Sequence, residues 1–178
     1  MKIAITGHTS GIGKALFDRF RSKDNEVIGF SRSNGYDISD PDARKKILEE
    51  VKDFDVFVNN AYNDTDSSQY FLLKEIFDFW TSKEKTIINI SSLGVYNRTN
   101  KYCQTKLEQD IFCNNNIFSN YPRIINIKPG LVDTPRVSHR QGYKMSPEYV
   151  ANIIEFCLTN SVRTITFGLD SNSGKKAT

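Results

Sequence analysis

Tyr102 and Lys106 stand four residues apart, a spacing that sets a phenol and an ammonium on one face of a helix. An unperturbed tyrosine, with a pKa of about 10, exchanges protons poorly at neutral pH. A cation one turn along stabilises the phenolate and makes the phenol a usable general acid or base. Tyr70 and Lys74 repeat the spacing, but inside an apolar helical run, so Tyr70 is expected to pack and Lys74 to face water. Ser92 lies ten residues before Tyr102, at the end of the apolar stretch Thr86–Ile90. A hydroxyl at the C-terminal end of a parallel strand faces the crevice where open α/β sheets bind ligands. Ser92, or its neighbour Ser91, is thus placed to hydrogen-bond a carbonyl oxygen.

A second constellation opens the chain. Thr6-Gly7-His8-Thr9-Ser10-Gly11-Ile12-Gly13 follows directly on an apolar run and leads into a helical pattern. Helix N-termini offer unpaired N–H groups and a positive dipole end to a diphosphate. Glycine allows the tight turn and the close backbone approach that such binding needs. The stretch Glu26–Phe30 then ends in Ser31-Arg32-Ser33. An acid at that tip would hold a ribose 2′-OH, whereas an arginine accommodates a 2′-phosphate. Arg32 therefore points to NADP(H) in preference to NAD(H).

The elements that must position these groups alternate short apolar runs with longer amphipathic segments, the pattern of an α/β fold with a parallel sheet. Strands are expected at Lys2–Ile5, Glu26–Phe30, Asp55–Asn59, Thr86–Ile90, Arg123–Lys128 and Arg163–Phe167. Helices are expected from Gly11 to Lys23, from the cap Asp40 with Pro41 in its first turn, over Ser67–Trp80 and Asn100–Cys113, and over Pro147–Asn160 with Ser146 as cap. The reading is one Rossmann-type domain over residues 1–170, a doubly wound sheet of about six strands in a three-layer αβα sandwich. The polar residues 171–178 are read as a disordered tail.

Composition narrows the field. The chain has 178 residues, 38% hydrophobic and 25% charged, with a net charge of +3. The charges are interspersed and form no basic stripe, which argues against nucleic acid as a partner. No run approaches the roughly 18 apolar residues of a membrane span, and the N-terminal apolar run is too short for a secretory signal. Cys103, Cys113 and Cys157 have neither zinc spacing nor an even count, so they read as reduced thiols of a cytoplasmic protein without a metal site. His8 and His139 have no ligand company either.

Taken together, the motifs resemble the short-chain dehydrogenase/reductase family, in order and over nearly the whole chain. Thr6-Gly7 through Gly11-Ile12-Gly13 is similar to its cofactor turn. Asp37-Ile38 resembles the pair that contacts adenine, and Asn59-Asn60-Ala61 the segment beside the cofactor in the central sheet. Ser92, Tyr102 and Lys106 match the catalytic serine, tyrosine and lysine. Pro129-Gly130 with Asp133-Thr134 looks like the turn on the nicotinamide side. The resemblance implies a cofactor site of Gly7, Thr9, Ser10, Gly11, Ile12, Gly13, Arg32, Asp37, Ile38, Asn60, Ala61, Tyr102, Lys106, Pro129, Gly130, Val132 and Thr134. It also implies a hydride transfer between NADP(H) and a small carbonyl or alcohol substrate, with Lys106 binding ribose and depressing the Tyr102 pKa. The cofactor carries the redox chemistry. A homodimer or homotetramer through the helices after the third and fourth strands is implied as well.

The departures are specific. The family's catalytic asparagine has no counterpart in Ser67–Trp80; Gln69 and Asn63 are the amides nearest its role, and neither is assigned to it. Tyr62 stands where the family has a glycine, Ser10 where many NADP-dependent members have a basic residue, and a helix and an edge strand are missing between Arg32 and Asp37. These features motivate an alternative, a cofactor-binding sensor or scaffold without turnover. A sugar-nucleotide epimerase or dehydratase shares the Tyr–Lys pair, but the Gly11-Ile12-Gly13 spacing and the short C-terminal part argue against it. The loop Pro135–Lys144 carries Arg136, His139, Arg140 and Lys144 and covers substrate in the family, so its basic residues suit a carboxylate or a phosphate.

Overall fold

Strand segments rich in Ile, Val and Phe, buried on both faces, can only be satisfied in a sheet covered on both sides. A computed structural model, which describes residues 1–64, 66–96 and 100–168, shows that sheet. Its strands are β1 (Lys2–Thr6), β2 (Glu26–Phe30), β3 (Val56–Asn59), β4 (Thr86–Ile90), β5 (Arg123–Pro129) and β6 (Thr164–Phe167). All pair in parallel, in the order β2-β1-β3-β4-β5-β6. The connecting helices are α1 (Gly11–Arg21), α2 (Pro41–Glu50), α3 (Ser68–Phe79), α4 (Lys101–Asn115) and α5 (Pro147–Thr159).

Period-two alternation assigns each strand's side chains to opposite layers. Ile3, Ile5, Val58, Ile88 and Ile125 pack beneath Leu16 and Phe20 of α1 and Val150 and Ile154 of α5. Ala4, Phe57, Ile87 and Ile124 pack beneath Ile47 of α2 and Leu72, Leu73 and Ile76 of α3, with Trp80. Asp40 and Ser146 cap α2 and α5 through Asp42 N and Tyr149 N, each followed by Pro at the first helical position. Asn100 caps α4 through Cys103 N.

The fold class and the run of elements match the sequence expectation, with small differences at the ends. Helix α1 stops at Arg21, where Ser22 already folds its hydroxyl back onto Arg19 O. Between Arg32 and Tyr36 there is only a 3-10 turn over Arg32–Asn34, so β2 is an edge strand. The tail expected at residues 171–178 lies outside the described residues.

Candidate active site

The sheet reverses its winding between β1, which feeds α1 on one face, and β3, which feeds α3 on the other. Ligands bind above such a switch point, at the C-terminal strand ends. Thr6 pins it: its hydroxyl donates to Val58 O at 3.1 Å and accepts from Asn60 N and Ala61 N at 2.9 and 3.0 Å. The Asn60 amide donates to Thr6 O at 2.9 Å. Gly7 packs on this corner at φ +69°, where an added Cβ would lie 2.9 Å from Asn60 Nδ2. At Gly13 a Cβ would fall 2.1 Å from Gly7 O, so the helix can approach the strand only without a side chain there.

Gly11 turns the chain into α1 at φ +54°. No side chain caps that helix and its first turn holds no acid, so its positive end is left for a ligand. A Cβ on Gly11 would stand 2.9 Å from Thr134 Cγ2, which places the loop after β5 directly against the glycine turn. This uncapped N-terminus, reached by glycines that admit no Cβ, fits a dinucleotide diphosphate. His8 points away from it. Its ring tilts against Phe17 at 5.1 Å and lies over Gly29.

At the tip of β2, Ser31 and Asn34 form a reciprocal capping box, and Asn34 Nδ2 donates to Gly29 O. The box holds Arg32 exposed beside the crevice. Asp37 Oδ1 accepts from Ser39 N at 3.0 Å and Ser39 Oγ at 2.8 Å. The Ser39 backbone bond, then its hydroxyl, hold the carboxyl below its ordinary range, with a smaller contribution from Arg32. Ile38 is buried, and Arg44 Nη1 donates to its carbonyl at 2.9 Å.

The structure brings Ser92 close enough to Tyr102 for its hydroxyl to favour the phenolate. Ser92 Oγ accepts from Gly94 N at 3.0 Å, which fixes its rotamer. Ser91 is buried, its hydroxyl unpartnered among the described residues. Burial pushes the Tyr102 phenol above its ordinary value, and the Ser92 hydroxyl offsets part of that rise. The sequence leads one to expect a phenol lowered by Lys106; here burial dominates and the net shift is upward. Full burial also pulls Lys106 itself down to about 7.

Lys106 Nζ donates to Gln69 Oε1 and to Ile90 O, both at 2.6 Å. An ammonium has three N–H donors, so one remains. On that side stand the rings of Tyr62, 5.2 Å away, and Tyr102, 5.8 Å away. The two rings meet edge to face at 5.0 Å. Gln69 lies on the first turn of α3, and its amide Nε2 donates to Asn59 O at 2.8 Å and to Ile90 O at 3.2 Å. Asn63, the other amide weighed from sequence, donates to Asp66 at 3.4 Å instead. The second Tyr–Lys pair is as expected, with Lys74 exposed over the Tyr70 ring.

Beneath the site runs a polar ladder that sequence reasoning missed. Asn59, Asn89 and Asn126 are register partners across β3, β4 and β5, each fully buried. Asn59 donates to Asn89 Oδ1 at 3.0 Å and Asn89 to Asn126 Oδ1 at 3.1 Å. Asn126 donates to Asp110 Oδ1 at 2.5 Å, and Asp110 pairs with Lys128 at 3.3 Å, both residues buried. With Asn59 Nδ2 also donating to Gln69 O, the ladder ties the partner of Lys106 to a buried ion pair between α4 and β5.

Beyond β5, Gly130 N donates to Phe167 O at 2.7 Å, and an added Cβ would lie 3.1 Å from Gly168 Cα. Pro129 and Gly130 thus close the β5–β6 edge. The following loop is tied at its root by a bridge between Val132 and Met145, with Asp133 N donating to Met145 O at 2.8 Å. It carries a 3-10 turn, Pro135–Val137, that swings Arg136 over the Tyr62 ring at 4.4 Å and the Tyr102 ring at 5.8 Å. Among the described residues no cluster of three or more His, Cys, Asp or Glu is arranged to hold a metal. No helix among them is long and apolar enough to cross a membrane.

A parallel sheet with a switch point and a glycine turn under it define a Rossmann-type fold. The chain superposes on the 3-alpha-hydroxysteroid dehydrogenase from Pseudomonas sp. B-0831 complexed with NADH, at TM-score 0.81 and 19% identity, over 99% of each chain. It superposes on a short chain dehydrogenase from Burkholderia cenocepacia J2315 in complex with NADP at TM-score 0.82 and 15% identity, over 97% of this chain and 90% of that one. A serine dehydrogenase from Escherichia coli gives TM-score 0.73 and 20% identity, over 95% and 97%. At such identities the likeness is one of fold. A model of the NAD dependent epimerase/dehydratase family matches residues 3–77. That stretch holds the glycine turn and ends before Tyr102 and Lys106. No curated protein matches the chain significantly.

Proposed function

We propose that the protein is an NAD(P)-dependent oxidoreductase, with NADP(H) preferred, that interconverts a small carbonyl compound and its alcohol. The observation that carries this reading is the convergence of Ser92, Tyr102 and Lys106 beside the glycine turn at the switch point. Gly7, Thr9, Ser10, Gly11, Ile12 and Gly13 would hold the diphosphate. Arg32 would meet a 2′-phosphate, Asp37 and Ile38 the adenine, and Asn60, Ala61, Pro129, Gly130, Val132 and Thr134 the nicotinamide half. When bound, the reduced nicotinamide supplies the hydride. Ser92 orients the carbonyl oxygen, and Tyr102, protonated at neutral pH, delivers a proton to that oxygen as the carbonyl carbon becomes a C–H centre. The free N–H of Lys106 is the donor available to a ribose hydroxyl.

The free, buried thiols accord with a reducing, cytoplasmic setting. Association through α3 and α4 belongs to the same proposal, supported by the exposed Phe71 and Ile111 on those helices. The test is NADPH consumption with a panel of carbonyl compounds. Tyr102→Phe should lower turnover about 10²- to 10⁴-fold and leave cofactor affinity within a few-fold. Retained turnover in that variant overturns the assignment.

One observation favours a second reading, cofactor binding without turnover. The Tyr62 ring covers the side of Lys106 left open by Gln69 and Ile90. Tyr62→Gly separates the two. A silent wild type that gains turnover on this change marks Tyr62 as a block, whereas an active wild type rules the second reading out.

A further inference from the structure

Arg136 is the one cation of the loop after β5 that stacks on the rings at the reaction centre, and its guanidinium already carries a carboxylate. Nη2 donates to Asp64 Oδ1, the acid belonging to the segment after β3. Its guanidinium carbon stands 4.4 Å from the centre of the Tyr62 ring and 5.8 Å from that of Tyr102, which sets the group beside the phenol. Ring stacking and a tied loop root fix the group before any ligand arrives. Asp64 is held far less firmly: its side chain is 72% exposed, against 42% for Arg136. An ion pair so exposed contributes little and yields readily to a competing carboxylate. Arg140 adds positive potential, felt at both Tyr102 and Arg136.

We propose that Arg136 binds the carboxylate of the substrate, that Asp64 occupies this subsite in its absence, and that the compound turned over at Tyr102 is a small hydroxy or oxo acid. A planar guanidinium fork matches a carboxylate with two parallel bonds, and in the structure its Nη2 already holds the Asp64 carboxylate. Tyr62, filling the position beside Tyr102, limits the room left for the remainder of the acid. The inference rests on the oxidoreductase reading for its chemistry but not for its binding.

The experiment compares α- and β-oxo acids with their methyl esters, and with phosphate-bearing carbonyl compounds, in the NADPH-loaded protein. Wild type should prefer the acids. Arg136→Met, which keeps the packing, should raise KM for the acids by roughly tenfold or more and leave the esters unchanged. Asp64→Asn should lower KM for the acids several-fold. Equal KM for acid and ester in wild type, an equal loss on both in Arg136→Met, or a preference for phosphate over carboxylate overturns the proposal. A parallel titration reads binding without turnover, as acid-induced change in NADPH fluorescence and thermal stability of Tyr102→Phe. Arg136-dependent binding of acids with no turnover in wild type leaves the carboxylate subsite standing, and removes the turnover of acids together with the oxidoreductase reading. Turnover of neutral carbonyls with no binding of acids does the reverse, and no response to acids in either assay also removes the inference.

Discussion

Lys106 and Gln69 are joined by a 2.6 Å hydrogen bond from ammonium to amide oxygen, and neither side chain touches water appreciably. Gln69 sits nine residues after Asn60, on the first turn of α3 rather than deep in a helix, and reaches Lys106 because α3 and α4 pack side by side. Removing its amide leaves a buried ammonium with one acceptor and frees Asn59 O. Unmade buried bonds cost about 1–3 kcal/mol each. Gln69→Leu should therefore lower stability by a few kcal/mol, read by chemical denaturation. Gln69→Glu offers the discriminating result: an opposite charge in contact raises the lysine pKa, by roughly 1–3 pH units. If Gln69 positions Lys106, the pH profile of turnover moves up in Gln69→Glu, whereas a purely structural role changes stability and leaves the profile in place.

Burial of Lys106 also makes stability depend on pH. Its pKa falls from 10.5 to about 7 in the folded protein, so the unfolded chain binds the extra proton between those values. Stability accordingly rises with pH across this window. The contribution is complete above 10.5 and is lost as pH falls to about 7. At about 1.4 kcal/mol per pH unit, wild type should gain about 2 kcal/mol between pH 7 and pH 9. Lys106→Met should show no such gain. Parallel curves for the two proteins would mean that the ammonium is not desolvated as the structure shows.

The strands and helices were legible because their signals are local. Asp40-Pro41 and Ser146-Pro147 mark helix starts by cap chemistry, and the strand runs are predominantly apolar, as suits doubly covered strands. The glycine turn and the Ser92–Tyr102–Lys106 group were legible for a related reason, since each is a short string or a one-turn spacing. The asparagine ladder was not, because it exists only through register between strands far apart in the chain. One signal pointed to it: Ile87-Ile88-Asn89-Ile90 and Ile124-Ile125-Asn126-Ile127 are the same string, with a polar residue at the same place in each buried run. The direction of the Tyr102 shift was equally out of reach. Spacing tells that a cation is near, but only burial tells whether that cation keeps its charge.

Selection between the two cofactors should reside at Arg32, exposed on a turn braced by Ser31 and Asn34. A single exposed arginine–phosphate contact is worth about 1 kcal/mol or slightly more. Arg32→Ala should thus reduce the ratio of NADPH to NADH affinity roughly five- to tenfold, by weakening NADPH alone. Equal weakening of both cofactors would place Arg32 outside the recognition of the 2′ position.

The Tyr102 phenol, raised by burial from its ordinary value of 10.0, also sets the direction in which pH favours the reaction. Reduction needs the protonated phenol and alcohol oxidation the phenolate. In a protein whose phenol is raised, reduction should stay level through neutral and mildly alkaline pH, while oxidation climbs and does not reach its plateau by pH 10. Ser92→Ala removes the largest of the influences that lower this phenol. The rising limb of oxidation should then move to still higher pH, in addition to any loss of carbonyl orientation. The two effects separate in the data, since poorer orientation lowers kcat at every pH, whereas the lost influence displaces the profile along the pH axis. A variant slowed uniformly, with its profile unmoved, would show that Ser92 serves the substrate and not the phenol.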